Sequence, residues 1–257
     1  MAEENLFQDN AAYDRAIGRW SCVAGEVFLD WLGLPDGLSW LDVGCGTGAF
    51  TELVLAHNAP SEINGIDPSE GQIAFARQRS PAGRVHYRQG DATSLPYGDD
   101  TFDVAIMALV VQYVPNPPKA VSEIVRVVRQ GGTTAAYVWT MSPAQPIMAA
   151  VKSMGIEEQR PPSDHMRSLD ALTGLFVAAG IEDVTSRKID IPIEFDTFDE
   201  FWVSQATHAL SRSRKQFTEL EIDQLKRLAR ERLGGHPGDR VSYTAQANAV
   251  RGIIRKG

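Results

Sequence analysis

The stretch Trp40-Leu-Asp-Val-Gly-Cys-Gly-Thr-Gly-Ala-Phe50 decides how this chain is read. A short apolar run is broken by Gly44, Gly46 and Gly48, and an amphipathic segment over 49–57 follows. That order predicts a strand, a tight turn and a helix. Glycines there let the backbone turn sharply and approach a ligand with no Cβ in the way. The helix beginning near Ala49 points unpaired N–H groups at that ligand and favours an anionic group. Asp67 closes the next apolar run, where a carboxylate can accept both hydroxyls of a ribose.

Outward from this stretch, short β-rich runs alternate with helical patterns, the signature of a parallel α/β sheet. Strands are expected over 39–43, 62–67, 85–89, 101–108, 133–140, 184–194 and 241–254, seven in all. Pro68 and Ser69 start a helix over 70–79, with Ser69 as its cap. The best-marked helix begins at Asn116 and Pro117; Val121, Ile124, Val125 and Val128 recur at i, i+3, i+4, i+7 as one buried stripe. Gly131 and Gly132 are expected to end it. Ser168 caps another helix that Gly180 stops. Two segments leave this rhythm, 141–167 with its prolines and the helical excursion 196–235. The expectation is one doubly wound α/β domain over 1–257, with an N-terminal helical lid over about 5–35 and cap insertions over about 141–167 and 196–235.

The chain has 257 residues, 43% apolar and 23% charged, enough apolar content to bury a full core. Its 25 basic and 33 acidic side chains leave a net charge of −8, which argues against a duplex-DNA or RNA binder. Cys22 and Cys45 are too few for a disulfide framework. No apolar run is long enough to span a membrane, and the acidic N-terminus lacks signal-peptide character, so a cytoplasmic location is expected. The five histidines have no metal-ligand spacing, so no metal is expected. Asn116-Pro-Pro-Lys119 is explained as a helix start.

A glycine turn alone does not name the ligand, since Gly44-x-Gly46-x-x-Ala49 also fits a dinucleotide fingerprint. Asp42, two residues before Gly44, would repel a pyrophosphate and welcome a cationic amine. Asp91, in Gly90-Asp91-Ala92, is placed to accept from an adenine amino group. Beyond Tyr137-Val-Trp139 come two more strands rather than a second nucleotide-binding half.

These features resemble the class I S-adenosylmethionine-dependent methyltransferases, and most of all the small-molecule branch related to ubiquinone and menaquinone biosynthesis. The matching blocks are LDVGCGTG at 41–48, GIDPS at 65–69, GDATSLPYGDDTFDVAIMALVVQYV at 90–114 and VVRQGGT at 127–133. The resemblance implies a seven-stranded, mostly parallel Rossmann-like sheet with the last strand antiparallel. It implies S-adenosylmethionine as cofactor, with S-adenosylhomocysteine as product and no metal. Gly44, Cys45 and Gly46 would line its methionyl part and Asp42 would orient that end. Asp67 would bind the ribose, Pro68 would lie against the adenine, and Asp91 with the Ala92 backbone would meet the adenine edge. Ala108 and Leu109 would border the sulfonium, and Tyr13 or Arg19 could reach the methionyl carboxylate.

Beside these roles stand plainer ones: Asp42 bonding loop amides, Asp91 forming a turn before Thr93, and Cys45 filling the loop or carrying a lowered pKa near a helix start. No catalytic residue is assigned. Candidates for a general base are His165, Gln112, Tyr113 and His208. The expected reaction is methyl transfer to a small, partly apolar acceptor by in-line displacement, with no nucleic-acid partner; uncovered helices near the C-terminus could pair in a homodimer. The alternatives are a non-catalytic protein that binds S-adenosylmethionine or S-adenosylhomocysteine, and an NAD-dependent oxidoreductase.

Overall fold

Strand β1 (Ser39–Val43) is buried from Trp40 onward, as a strand covered on both faces must be. In the computed structural model, which describes residues 19–80, 83–213, 215–234 and 239–256, it sits near the middle of a seven-stranded sheet. On one side it pairs in parallel with β2 (Glu62–Asp67), and β2 with β3 (His86–Gln89). On the other side it pairs in parallel with β4 (Phe102–Ala108), and β4 with β5 (Val128–Met141). The remaining strands, β6 (Glu182–Phe195) and β7 (Val241–Ile253), complete the order β3-β2-β1-β4-β5-β7-β6. Ile254 accepts from the Gly131 amide and donates to Gly132 O, so the end of β7 meets the start of β5 and the two run antiparallel. The chain thus moves outward from β1 in two directions, and the carboxyl ends of β1 and β4 mark the reversal point where such sheets bind ligands.

The intervening helices are α1 (Arg19–Leu32), α2 (Ala49–Asn58), α3 (Glu70–Arg79), α4 (Pro117–Val127), α5 (Gln145–Ser153), α6 (Leu169–Ala178), α7 (Phe198–Ser211) and α8 (Glu219–Leu233). Several caps are those the sequence announces. Ser69 Oγ accepts from the Gln72 amide, Asn116 Oδ1 from the Lys119 amide, and Ser168 Oγ from the Ala171 amide. One expectation needs correction: α4 ends at Val127, not at the glycine pair, and β5 begins at once with Val128. Phe102 pairs with Val128 but Val104 with Thr133, so Gly131 and Gly132 form a bulge inside the strand. Gly131 supplies the left-handed φ of 79° that the bulge uses.

The chain divides into two compact units. One contains Cys22–Thr140, Pro161–Ile189 and Ala247–Gly257. Its core joins Leu41, Val43, Met107, Val121, Ile124, Val138, Leu172 and Phe176. Phe28 of α1 lies 4.7 Å from Tyr137, and Arg251 closes the C-terminal end of α1 by donating to the Trp31 and Leu32 carbonyls. The other unit gathers residues 19–21, Met141–Arg160 and Asp190–Gln246. There Phe195, Phe198, Phe201 and Trp202 pack together, Arg230 stacks over Phe198, and a capping box of Thr218 and Glu221 starts α8.

Because Ile124 is fully buried in the sheet unit's core, Ile124→Ala should lower unfolding free energy by about 2–5 kcal/mol. Val177→Ala, on the exposed face of α6, should change it by less than about 0.5 kcal/mol. Urea titration of the two variants checks the contrast.

Candidate functional site

The glycine turn is set by how near its neighbours stand. Gly44, Gly46 and Gly48 all adopt left-handed φ, at 79°, 53° and 82°. A Cβ on Gly44 would stand 2.5 Å from a Val110 methyl, and one on Gly48 would strike the Tyr87 hydroxyl. The Gly44 and Cys45 amides both donate to Ile66 O, which pulls the turn onto the end of β2. Asp67 then ties three segments together. Its Oδ2 accepts from the Gly46 amide at 3.0 Å, its Oδ1 from the Ser69 amide at 2.9 Å, and its carbonyl from the Gly90 amide.

Asp42 lies beneath the turn, 2% exposed. Its Oδ2 accepts from the Thr51 hydroxyl at 2.6 Å, while its Oδ1 is buried without a partner among the described residues. Burial pushes the carboxyl up to about 7; the Thr51 hydrogen bond opposes this and the Asp67 charge adds to it. Burial also raises Asp67, against the pull of its two amide donors. Cys45 departs from the reactive alternative: burial and the charges of Asp42 and Asp67 push its thiol well above the ordinary value, so it fills the loop as an inert group.

The third and fourth strands bring further residues to the same edge. Asp91 follows β3, and its Oδ1 accepts from both the amide and the hydroxyl of Thr93, so it does form a turn. The loop carrying it is pinned from α4. Glu123 accepts from the Leu95 amide, and Arg126 donates to the carbonyls of Leu95 and Tyr97. The Arg126 guanidinium holds Glu123 down to about 2. Pro68 offers its carbonyl to the Gln89 side chain. Ala108 ends β4, and Leu109 just beyond it has a left-handed φ of 64°, unusual for a residue with a Cβ. The Leu109 amide still donates to Tyr137 O, and its carbonyl accepts from Gln112 Nε2 at 2.8 Å. Of the proposed ligands, Tyr13 and the side chain of Arg19 fall outside the described residues.

The base candidates separate on environment. His165 is exposed in a short turn, Asp164–Arg167. His208, on α7 in the other unit, is driven down to about 3 by burial and the Arg212 charge, which leaves it a weak proton acceptor. Gln112 is engaged with Leu109. Among the described residues, no group of three or more His, Cys, Asp or Glu is arranged to hold a metal, and no helix is long and apolar enough to cross a membrane.

Residues 41–136 match a family model described as a methyltransferase domain. Among curated relatives, a malonyl-[acyl-carrier protein] O-methyltransferase of Pectobacterium atrosepticum is 34% identical over 130 residues, 48% of this chain and 50% of that protein. A demethylmenaquinone methyltransferase of Symbiobacterium thermophilum is 39% identical over 97 residues, 36% of this chain and 39% of that protein. The chain spans about half or less of the length of the curated relatives it matches. Among solved structures, phosphoethanolamine N-methyltransferase 2 of Haemonchus contortus, in complex with S-adenosyl-L-methionine, superposes with a TM-score of 0.62 at 15% identity. That match covers 100% of this chain and 60% of the other, and it shows that the fold is shared.

The candidate site also includes residues that sequence reasoning did not single out. Thr51 and Tyr87 stand behind Asp42 and the glycine turn. Gln72, on the first turn of α3, is buried with its Oε1 unpartnered among the described residues, 3.9 Å from where a Cβ on Gly46 would be. Only the glycines hinted at such close neighbours, without saying which residues they were.

Asp42 binds its proton more tightly folded than unfolded, so it contributes stability that is fully present below about pH 4 and lost as pH rises through about 7. The raised Asp67 acts in the same direction. The stability of the ligand-free protein relative to its Asp42→Asn variant should therefore fall between about pH 4 and about pH 7. Denaturant titrations of both proteins across that range measure it, and a constant difference would contradict the burial argument.

Proposed function

We propose that the chain binds S-adenosylmethionine at the carboxyl edge of β1, β2 and β3 and transfers its methyl group to a small, partly apolar acceptor. The observation that carries this reading is the pair of carboxylates at the glycine turn. Asp67 is held rigid by two backbone amides, and Asp42 keeps one buried oxygen without a partner among the described residues. A buried, unpartnered carboxylate oxygen suits a cationic group and disfavours the pyrophosphate of a dinucleotide. The methyltransferase family match over 41–136 covers all of these residues and supports the same reading.

In this reading Asp67 accepts the ribose hydroxyls through lone pairs its amide donors leave open. Asp42 faces the amino end of the methionyl chain, and Gly44, Cys45 and Gly46 let the backbone come close to it. Pro68, Asp91 and Ala92 border the adenine, and Ala108 and Leu109 the reactive end. Tyr13 or Arg19 would reach the methionyl carboxylate in this proposal. The cofactor, when bound, supplies a sulfonium methyl that is already electrophilic. The chain's task is then to hold the acceptor atom about 3–3.5 Å from that methyl and to exclude water. The strained Leu109, fixed by Gln112 and by its pairing to Tyr137, makes the wall beside the reactive end rigid. No general base is assigned, because a nucleophile that is already deprotonated needs none.

A thermal-melt comparison tests the reading. S-adenosylmethionine and S-adenosylhomocysteine, each at about 100 times its dissociation constant, should raise Tm by roughly 5–10 °C, and NAD and NADP should not. Asp67→Ala should remove the shift while the far-ultraviolet circular dichroism spectrum stays that of the wild type. A shift with NAD, or an undiminished shift in the variant, would contradict the assignment.

A further inference from the structure

The three glycines of the turn are not alike. A Cβ on Gly44 or Gly48 would strike Val110 or Tyr87, so the chain's own packing fills the space those two leave. Gly46 faces open room. Beyond its chain neighbours, only Gln72 Oε1 comes within 4 Å of its Cβ position, at 3.9 Å. The Gly46 amide meanwhile donates to Asp67 Oδ2. One residue thus joins a carboxylate, which holds its amide, to a glutamine that borders its open side.

The backbone of Gln72 is fixed beside Asp67. The Gln72 amide donates to Ser69 Oγ, the Ser69 amide donates to Asp67 Oδ1, and the Ile73 amide donates to Ser69 O. Ile73 and Ala76, on the same helix α3, pack with Cys45 and Tyr87 in a small buried cluster. Gln72 itself is 4% exposed, and its Oε1 is buried without a partner among the described residues. An amide oxygen taken out of water and left unpaired is unfavourable, which marks it for a donor from outside the chain. Beside it stand the two carboxylate oxygens of Asp67, each holding one amide with a lone pair to spare. A ligand that suits this place brings protons and no negative charge; a phosphate would set oxygen against oxygen. A vicinal diol brings two protons close together.

We propose that Gln72 is a specificity-determining contact for the cofactor's ribose. Its amide oxygen accepts from the hydroxyl nearer α3 and shares that proton with Asp67, so two side chains read the diol rather than one. This inference deepens the reading of the site as one for S-adenosylmethionine and rests on it. The amino end of the ligand falls in that reading to Asp42, which is bonded to Thr51 of α2, whereas Gln72 is tied to Asp67 through Ser69. Glu70, the neighbouring acid on α3, is paired with Arg77.

Gln72→Met keeps an unbranched side chain and removes the amide. Calorimetric titration of wild type and variant with S-adenosylhomocysteine and with its 2′-deoxy and 3′-deoxy analogues reads the contact. Gln72→Met should bind S-adenosylhomocysteine about 3- to 10-fold more weakly. The penalty for one of the two missing hydroxyls should shrink by about the same factor in the variant, while the other, held by Asp67 alone, keeps its full penalty. The ligand-free variant should melt at a higher temperature than the wild type, because a buried unpaired oxygen is gone. A glutamine that only supports the fold would lower that melting temperature and leave both hydroxyl penalties unchanged, and either result overturns the proposal. If wild-type protein binds S-adenosylhomocysteine and Asp67→Ala does not, unchanged penalties in Gln72→Met remove the role of Gln72 and leave the cofactor reading standing. If wild-type protein binds none, both fall together.

Discussion

The carboxyl edge of the sheet depends on how closely two backbones pass where the strand order reverses. At that point β1 runs into the glycine turn, and β4 runs into a segment whose Val110 methyl groups occupy the space a Cβ on Gly44 would need. Any larger residue at Gly44 must push the β4 segment away, and the left-handed φ there is costly for a side chain besides. With the turn pressed down, its amides reach Ile66 O and Asp67, so the end of β2 is fixed by the end of β1. The Gly90 amide carries the same order to the end of β3 through the Asp67 carbonyl. Beside this turn, Leu109 carries backbone strain where the chain leaves β4, and two hydrogen bonds hold it.

That geometry concentrates negative charge in a dry place. Burial raises both Asp42 and Asp67, and the Asp67 charge raises Asp42 further. Their two environments differ in a way that suits different work. Asp67 takes one backbone donor on each oxygen and is held rigid, with lone pairs left to accept neutral hydroxyls in a set geometry. Asp42 is half-satisfied and near its titration point at neutral pH, fitted to gain stability from a positive group. A third acid, Asp91, stays exposed on a loop that Glu123 and Arg126 anchor to α4. One sheet edge thus offers three carboxylates of graded burial, from the middle strand outward.

Much of this was legible in the order of residues, because buried parallel strands read as short apolar runs and their turns as glycines and prolines. Strands β1 and β2 and helix α3 match their expected bounds, and the caps at Ser69, Asn116 and Ser168 are local signals that local structure obeys. What escaped involves partners far apart in the chain. The glycine pair at 131 and 132 reads as a helix stop, yet it serves a bulge defined by pairing with β4 and with Ile254. Gly48 announces a close neighbour, but only folding shows that the neighbour is Tyr87. For Cys45 near a helix start a lowered pKa stands as the alternative to loop filling, and only the fold shows burial beside two carboxylates that raises it. Likewise, nothing local says that 141–160 and 190–246 gather into a unit with its own aromatic core.

The central claim is that the Asp42–Asp67 edge of β1 and β2 holds an adenosyl cofactor by its ribose and its amino end. A crystal structure of the protein grown with S-adenosylhomocysteine tests it most directly. The account predicts ribose hydroxyls on the Asp67 carboxylate and the ligand's amino group within hydrogen-bond distance of Asp42 Oδ1. Density for the ligand at any other place, with Asp42 Oδ1 still lacking a partner, would contradict it.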